Sequence, residues 1–399
     1  MNTRNFIIGI IAFSMISCME DVTTVYEQPL PETVVPDIPE EESAQPAQEA
    51  NPEKAYEWLI HMQGTNGLVE SSEFTNFVSL YDNALAALVF MAEGDLERAE
   101  QILDFFNDRL HSEFESNQGG FFQYRDTSGE QGSRIWMGDN AWLLLALNQY
   151  HEISQTNRYE ILANELETWL RSLQEEDGGL KGGTNEDGSA IPRVTEGIIT
   201  AFNAVKGFDE FHEKILLFLS EQRWDTEWQV LTTDSENPAY EHALDLYSLG
   251  YLILEDFPKS VLHKADRFLT AHTPASRSTM ITGYCFDEDR DVVWLEGTAQ
   301  MALAFQTAQE TGKMEEILYD LEGTFLVSEI NQEVIGLPYT TNPGTNFGAV
   351  ALWDHADKAA TVSSTSWYLF VKNNFDPFRL EKNKQIPEHL KFWSATEAD

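Results

Sequence analysis

The sequence predicts an all-α protein in which six helix pairs form a ring. Three observations support this prediction. Helical segments that are apolar on all sides alternate with amphipathic segments, the loops between them alternate between long and short, and one helix-start pattern recurs. A helix that is apolar all round belongs inside a protein, and an amphipathic helix can cover it. Six of each kind predict an inner layer of helices with an outer layer around it.

The recurring pattern is a carboxylate in the first turn of an apolar helix, beside small or aromatic residues. In residues 294–310, WLEGTAQMALAFQTAQE, this acid is Glu296. The equivalent acids in earlier segments are Asp82, Asp139, Glu196 and Asp245. A sixth segment has hydroxyls instead, in Ser363-Ser364-Thr365-Ser366-Trp367. The steps from Asp82 to Ser366 are 57, 57, 49, 51 and 70 residues, and such a period is typical of repeated helical units.

The first three pairs and the outer helix of the fourth begin at residue 51. Residues 51–53, Asn-Pro-Glu, combine an N-cap, a proline at the first helical position and an acid in the first turn, which starts an amphipathic helix. Glu93-Gly94-Asp95 then marks a sharp turn after the first apolar helix. The predicted helices of this half are 51–63, 81–92, 96–111, 139–151, 157–174, 195–206 and 210–222.

The second half repeats the alternation. Its predicted helices are 240–254, 259–272, 294–310, 313–322 and 361–372, with a proline-containing turn before 259. Little of the chain has the pattern of a strand. A short hairpin around 327–340 is the strand pair that the loops suggest.

The loops differ in length according to their direction. Every connection from an amphipathic to an apolar helix has about 17 to 38 residues, and every return connection has about 2 to 6. Long loops tend to be functional. All of them should emerge on one face of the ring, above the starts of the apolar helices, so that the recurring acids surround the mouth of a central funnel.

The first fifty residues have the composition of a leader and a tether. An apolar run over 6–16 follows Arg4 and is too short to cross a bilayer. Met15-Ile16-Ser17-Cys18 resembles a bacterial lipobox, and the acids after it resemble the export signal of surface lipoproteins in Bacteroidetes-type bacteria. These resemblances imply a signal peptide over 1–17, a lipid anchor at Cys18 and a place on the outer membrane, facing periplasm or cell surface. Residues 19–50 hold five prolines, nine acids and no Lys or Arg, so 18–50 should be a disordered tether.

Composition narrows the partners of the remaining domain, residues 51–399. A formal charge of -42 excludes nucleic acid and anionic membrane surfaces as natural partners. Cys285 is the one cysteine left after the leader, so neither a disulfide framework nor a cysteine-based metal site is expected. No cofactor or metal is predicted, and a monomer is expected.

The arrangement as a whole resembles the (α/α)6 toroid over residues 51–375. An open superhelical stack of helix pairs is the alternative, but six pairs and inner helices too apolar to face water favour closure. Trp58 to Gly67 and Trp169 to Gly178 share a Trp, Gln and Gly spacing. It is similar to repeats in terpene cyclases, whose acidic motifs are absent here, and to outer-helix ends in sugar-active toroids. The chain resembles bacterial toroids that act on carbohydrate: glycoside hydrolases, polysaccharide lyases and sugar epimerases.

The recurring acids have a simpler interpretation that must be weighed. A carboxylate in the first turn accepts backbone N–H groups and contributes roughly 0.3–1 kcal/mol to helix stability. Ser or Thr would cap equally well, however, and five acids at one mouth would raise each other's pKa, which suits acid–base chemistry.

These considerations predict an oligo- or polysaccharide substrate and an inverting glycoside hydrolase. Helices three apart face each other across a six-pair ring, which pairs Asp139 with Glu296, and a gap of roughly 6.5–9.5 Å suits inversion. Glu296 beside Trp294 is predicted as general acid and Asp139 as base, with exchanged roles left open. The other predicted substrate-binding residues are Asp82, Glu196, Asp245, Trp136, Trp294, Tyr124, Arg193, Tyr247, Trp353 and His355. For the aromatic residues, a place in the core is the alternative.

Two other functions remain open: a glycan-binding lipoprotein without catalysis, and a lyase or epimerase on the same fold. Weaker motifs have ordinary alternatives. The alternating acids of residues 287–291 resemble a calcium loop but also suit a solvated loop. His242 is a candidate base or a packing residue, and Asp354-His355 is a candidate lid pair.

Overall fold

Twelve α-helices alternate between two layers in the described part of the chain. The structure is a computed structural model and describes residues 50–233, 241–343, 346–347, 350–351 and 356–394. The outer helices are α1 (Pro52–Met62), α3 (Leu96–Asp108), α5 (Glu160–Ser172), α7 (Glu210–Gln222), α9 (Ser260–Lys264) and α11 (Thr311–Leu321). The inner helices are α2 (Leu80–Ala92), α4 (Met137–Ser154), α6 (Thr195–Ala204), α8 (Asp245–Ile253), α10 (Leu295–Thr307) and α12 (Val362–Lys372).

The inner helices close into a ring. Each contacts the next in chain order, and α12 contacts α2. Five outer helices pack on the inner helix that precedes them, and α1 packs on α12. The predicted closed ring of six pairs is confirmed, and the open stack is wrong.

Burial separates the two layers as the apolar pattern predicts. In α2 every residue from Leu80 to Met91 is buried, and in α12 every residue from Val362 to Val371 is. An outer helix such as α5 buries one stripe, formed by Leu162, Leu166 and Leu170. This spacing of four residues places the three leucines on one face of the helix. The polar side chains at the inner-helix starts are therefore enclosed and need partners.

Short antiparallel strands tie the long loops together. Val78–Ser79 pairs with Tyr124–Arg125. Ile135–Trp136 pairs with Gly183–Thr184. The predicted hairpin is confirmed, since Leu326–Val327 pairs with Ile335–Gly336. The first two of these strand pairs join loops that lead to neighbouring inner helices, so the long loops lie on one face of the ring, as expected.

The predicted helix 259–272 is wrong beyond Lys264. After α9 a 3-10 turn covers Ala265–Phe268, and Leu269–His272 then forms a strand with Ile281–Tyr284. The four-residue ladder satisfies backbone groups that a helix would otherwise pair internally. The side chains of this strand are exposed or half-buried, so no apolar stripe holds them in a helix.

The segments before the ring lie outside the described residues. The predicted signal peptide, Cys18 and most of the tether fall within 1–49. Within the described ranges, none of the helices has both the length and the apolar character needed to cross a bilayer.

The two Trp-Gln-Gly echoes form the same structure twice. Gln63 Nε2 donates to the carbonyls of Gly67 and Arg98, at 3.1 and 3.0 Å. Gln174 Nε2 donates to the carbonyls of Gly178 and Phe211, at 3.2 and 2.9 Å. In each case a glutamine at the end of an outer helix closes its own loop and holds the next outer helix.

Gly178→Ala is expected to destabilise the protein more than Gly94→Ala. Both glycines have positive φ, 91° and 79°, so both substitutions carry a left-handed backbone cost of about 1–2 kcal/mol. A Cβ at Gly178 would also lie 2.1 Å from the Lys214 carbonyl oxygen, whereas one at Gly94 meets nothing within 4 Å. Urea unfolding of the two variants measures the difference. If both variants lost the same free energy of unfolding, the contact of the added Cβ with the Lys214 carbonyl would contribute nothing to the cost at Gly178.

Candidate active site

Five buried carboxylates lie in the first turns of consecutive inner helices. They are Asp82, Asp139, Glu196, Asp245 and Glu296, with exposed fractions of 0, 0, 1, 2 and 3%. The N-cap residues of these helices are different ones: Ser79, Trp136, Val194, Leu244 and Trp294. Among the five acids, Asp245 is the one whose pKa is lowered by backbone groups of its own helix start. Capping therefore does not explain the set.

The five acids act on one another electrostatically. Asp82 raises the pKa of both Asp139 and Glu296. Asp245 raises the pKa of both Glu196 and Glu296, and Asp139 also raises that of Glu196. The Coulomb interaction between like charges is stronger in a protein interior than in water. Because the acids lie in the first turns of inner helices that contact one another, the structure places them at one end of the ring.

Burial is the main cause of the raised pKa values. It raises the pKa of Asp82 and Asp245 to about 7 and the pKa of Glu196 and Glu296 to about 8. It also raises the pKa of Asp139 well above the usual value, against the opposing charge of Arg134. Carboxyl groups that can hold a proton near neutral pH are typical of acid–base sites.

Glu296 is held by side chains from three helices. The Tyr81 hydroxyl donates to Glu296 Oε1 at 2.6 Å, and Trp367 Nε1 donates to the same hydroxyl at 2.8 Å. Gln300 Nε2 lies 3.4 Å from Glu296 Oε1, and the Ser363 side chain lowers the pKa of Glu296. The hydroxyl-bearing sixth segment thus supports an acid from another helix.

Glu196 and Asp139 also have specific partners. Trp142 Nε1 and Thr200 Oγ1 donate to Glu196 Oε1, at 3.2 and 3.1 Å. Asp139 is stabilised in its charged form by Arg134, by the Tyr81 backbone N–H and by the Gln123 side chain. Trp142 and Trp367 are buried in the core, and their indole nitrogens also orient the site.

The predicted stacking rings are enclosed. Trp136 and Trp294 are 1 and 2% exposed, and Tyr247 is fully buried. Trp294 packs edge-on against Phe286, with 4.9 Å between centroids, and Tyr247 packs against Phe268. Tyr124, 9% exposed, lies 5.1 Å from the Phe77 ring. The core interpretation describes these four rings better than that of open sugar platforms.

Arg193 and His242 have carboxylate partners outside the five acids. Arg193 forms ion pairs with Glu175 and Asp177, both at 2.9 Å. Neither carboxylate belongs to the five, so the charge of Arg193 is already paired with other acids. His242 is buried and lies 3.7 Å from Asp225, which favours packing over a role as base. Trp353, Asp354 and His355 lie outside the described residues.

A second acidic cluster lies before α10. Ligand atoms of Cys285, Asp287 and Asp289 lie within 4.8 Å of one another and could hold a metal ion. The Cys285 thiol is buried and lies 3.6 Å from Asp291 Oδ1. Burial raises the pKa of Asp287 to about 8. The cluster is a feature of the loop and not of the five-acid site.

Two groups at the site were missed from the sequence. Arg134 faces Asp139, and Tyr81 holds Glu296. Tyr81 directly precedes a recurring acid, which is a signal in the sequence. Arg134 is placed by a loop hairpin, and no spacing rule identifies it.

Comparison with known proteins shows the fold and leaves the family open. No protein-family model matches the chain, and no curated protein matches it significantly. A glycosidase in complex with glucose aligns with a TM-score of 0.57 at 10% identity, over 82% of this chain and 96% of that chain. An α-amylase from Clostridium perfringens aligns with a TM-score of 0.57 at 11% identity, over 81% and 97%. A sugar epimerase from a ruminal bacterium aligns with a TM-score of 0.56 at 10% identity, over 81% and 96%. At these identities the likeness confirms the predicted (α/α)6 toroid fold.

Proposed function

We propose that this protein is a glycan-active enzyme and, more specifically, a glycoside hydrolase. The observation that carries the proposal is the set of five buried, mutually interacting carboxylates at the starts of consecutive inner helices. Isolated buried acids are costly to a fold. A cluster of five is therefore hard to explain by stability and easy to explain by proton transfer. Sugar-active neighbours in the same fold support the substrate class.

Glu296 serves as the general acid in this proposal. Its pKa of about 8 keeps the carboxyl group protonated at neutral pH, as donation to a leaving glycosidic oxygen requires. The hydrogen bond from Tyr81 to Oε1 fixes the orientation of the carboxyl group. In this proposal the other oxygen, Oε2, carries the proton.

Asp139 serves as the general base. Burial raises the pKa of this acid well above its usual value even against the charge of Arg134, so Asp139 needs this cation to give up its proton and act as a base. In the ring order, α4 and α10 lie three steps apart and hence opposite each other. An inverting mechanism requires a gap of roughly 6.5–9.5 Å between the two carboxyl groups, and opposed helix starts are the arrangement that can provide it.

A glycan panel tests the proposal. The purified protein is scored for binding and for product formation, and the anomer released first is identified by NMR. Reducing ends in the inverted anomeric form are expected. Binding without turnover would support a glycan-binding protein, and isomerised sugar without cleavage would support an epimerase; either result would overturn the proposed hydrolase.

Tyr81→Phe is expected to shift the alkaline limb of the kcat profile to higher pH. The Tyr81 hydrogen bond lowers the pKa of Glu296, so its removal raises that pKa further and keeps the acid protonated over a wider range. The pH dependence of kcat on an active glycan measures the shift. If the alkaline limb of the kcat profile stays at the same pH, Tyr81 does not control the pKa of Glu296, even where the rate itself falls.

The proposed location of the protein in the cell is inferred from its N-terminal segment. We propose that Cys18 carries lipid and anchors the chain in the cell envelope through an acidic tether. Cys18→Ala should release the protein from the membrane fraction of an expressing bacterium. Retention of the variant in that fraction would argue against the anchor.

A further inference from the structure

Arg134 differs in its environment from seven other arginines. Seven arginines in the described part of the chain form ion pairs with carboxylates: Arg98, Arg109, Arg125, Arg158, Arg171, Arg193 and Arg267. Arg134 Nε and Nη2 are enclosed by the protein yet have no hydrogen-bond partner among the described residues. Leaving buried guanidinium donors unpaired is costly. In a protein with 67 acidic residues, a guanidinium with two unpaired donors has capacity to bind a further oxyanion.

The surroundings of Arg134 direct it to the five-acid site. Its backbone has a φ of 40°, a strained conformation for a residue other than glycine. The Gln123 N–H donates to the Arg134 carbonyl at 2.8 Å, and both side chains act on Asp139. The guanidinium carbon lies 5.8 Å from the Tyr124 ring centroid. A hairpin therefore holds the cation beside the proposed base and against an aromatic ring.

We propose that Arg134 binds an anionic group of the substrate sugar, a carboxylate or sulfate, and so makes acidic glycans the preferred substrates. The inference rests on the proposed glycan-active function and names its substrate class. The planar guanidinium presents two donors to an oxyanion at once. Burial raises the pKa of all five acids, so they are partly protonated near neutral pH and repel an anion less than ionised carboxylates would.

Binding of simple sugar acids tests this assignment without a known substrate. Glucuronate is compared with glucose, galacturonate with galactose, and glucose 6-sulfate with glucose, by calorimetric titration of the full chain. Each acid is expected to bind about tenfold or more tightly than its neutral counterpart, as a charge-assisted hydrogen bond allows. A preference for the carboxylates alone or the sulfate alone identifies which oxyanion the site takes.

Variants separate Arg134 from the general charge of the protein. Arg134→Met is expected to abolish the preference, and Arg134→Lys to retain part of it as a point charge. Arg171→Met removes an arginine of α5 that is paired with Glu167 and Asp209. This variant should leave the preference unchanged. Melting temperatures near that of the wild type show that the variants are folded.

The outcomes distinguish this inference from the proposed hydrolase. Equal binding of acidic and neutral sugars, no binding of either, or a preference that survives Arg134→Met would overturn the role of Arg134. Hydrolysis of neutral glycans without any preference would overturn it while leaving the hydrolase intact. A preference that depends on Arg134 without turnover of any glycan would support the site and overturn the hydrolase.

Discussion

Glu296→Gln and Asp139→Asn are each expected to lower kcat on an active glycan by about 10²- to 10⁴-fold, the contribution typical of a positioned acid or base. Each amide keeps the shape of its carboxyl group but cannot give or take the proton. Initial rates of reducing-end release measure the loss. Glu97→Gln is the matched control, because Glu97 lies in the first turn of an outer helix and should leave kcat unchanged. If both site variants kept full activity, the assignment of acid and base would be wrong.

The stability of Glu296→Gln separates chemistry from folding. The folded pKa of Glu296, about 8, lies above its unfolded value, so the folded state binds the proton more tightly. The stability that this group contributes is fully present below the unfolded pKa and is lost as pH rises through about 8. Glutamine cannot ionise and can still accept from Tyr81. The variant should therefore melt at least as high as the wild type above that pH, and a much lower melting temperature would contradict this account.

The ring could be predicted because its two helix types follow from burial. Inner helices such as α10 are enclosed on every side, so their sequences are apolar all round, while α5 shows its leucine stripe at a spacing of four. The recurrence of the helix-start pattern, with five acids and one hydroxyl-bearing segment, indicates six pairs. The region after Lys264 was mispredicted because local helical periodicity could not reveal a ladder with Ile281–Tyr284.

The acids of the site could be predicted, but their partners could not. Glu296 and Asp82 share a sequence pattern, and equivalent positions in a ring must converge. The Tyr81–Glu296 hydrogen bond joins residues 215 apart. Arg134 is itself a strained hairpin residue, and its charge acts on Asp139. Such contacts depend on loop register. The aromatic rings were assigned to the sugar because a tryptophan beside a carboxylate looks alike whether it is open or, as with Trp294, enclosed.

Arg125→Met is expected to lower the free energy of unfolding by about 3–5 kcal/mol, the usual result of breaking a buried ion pair. The guanidinium binds both oxygens of Glu113, with Nη1 to Oε2 at 3.0 Å and Nη2 to Oε1 at 2.8 Å. The side chain of Arg125 is 1% exposed and that of Glu113 is 10% exposed. The variant leaves a carboxylate enclosed without its cation. Urea unfolding measures the loss.

The control for Arg125→Met is Lys214→Met. It breaks an exposed pair with Glu210 and should change the free energy of unfolding by about 0–1 kcal/mol.

A double variant shows what the buried ion pair between Arg125 and Glu113 contributes. Arg125→Met with Glu113→Met removes both buried charges and should cost less than Arg125→Met alone, since no orphaned charge remains. The backbone N–H of Phe122, which donates to Glu113 at 2.9 Å, then loses its acceptor. This loop leads through Gln123 and Arg134 to Asp139, so the double variant should be stable yet less active. A fully active double variant would show that the ion pair stabilises the fold without positioning the site.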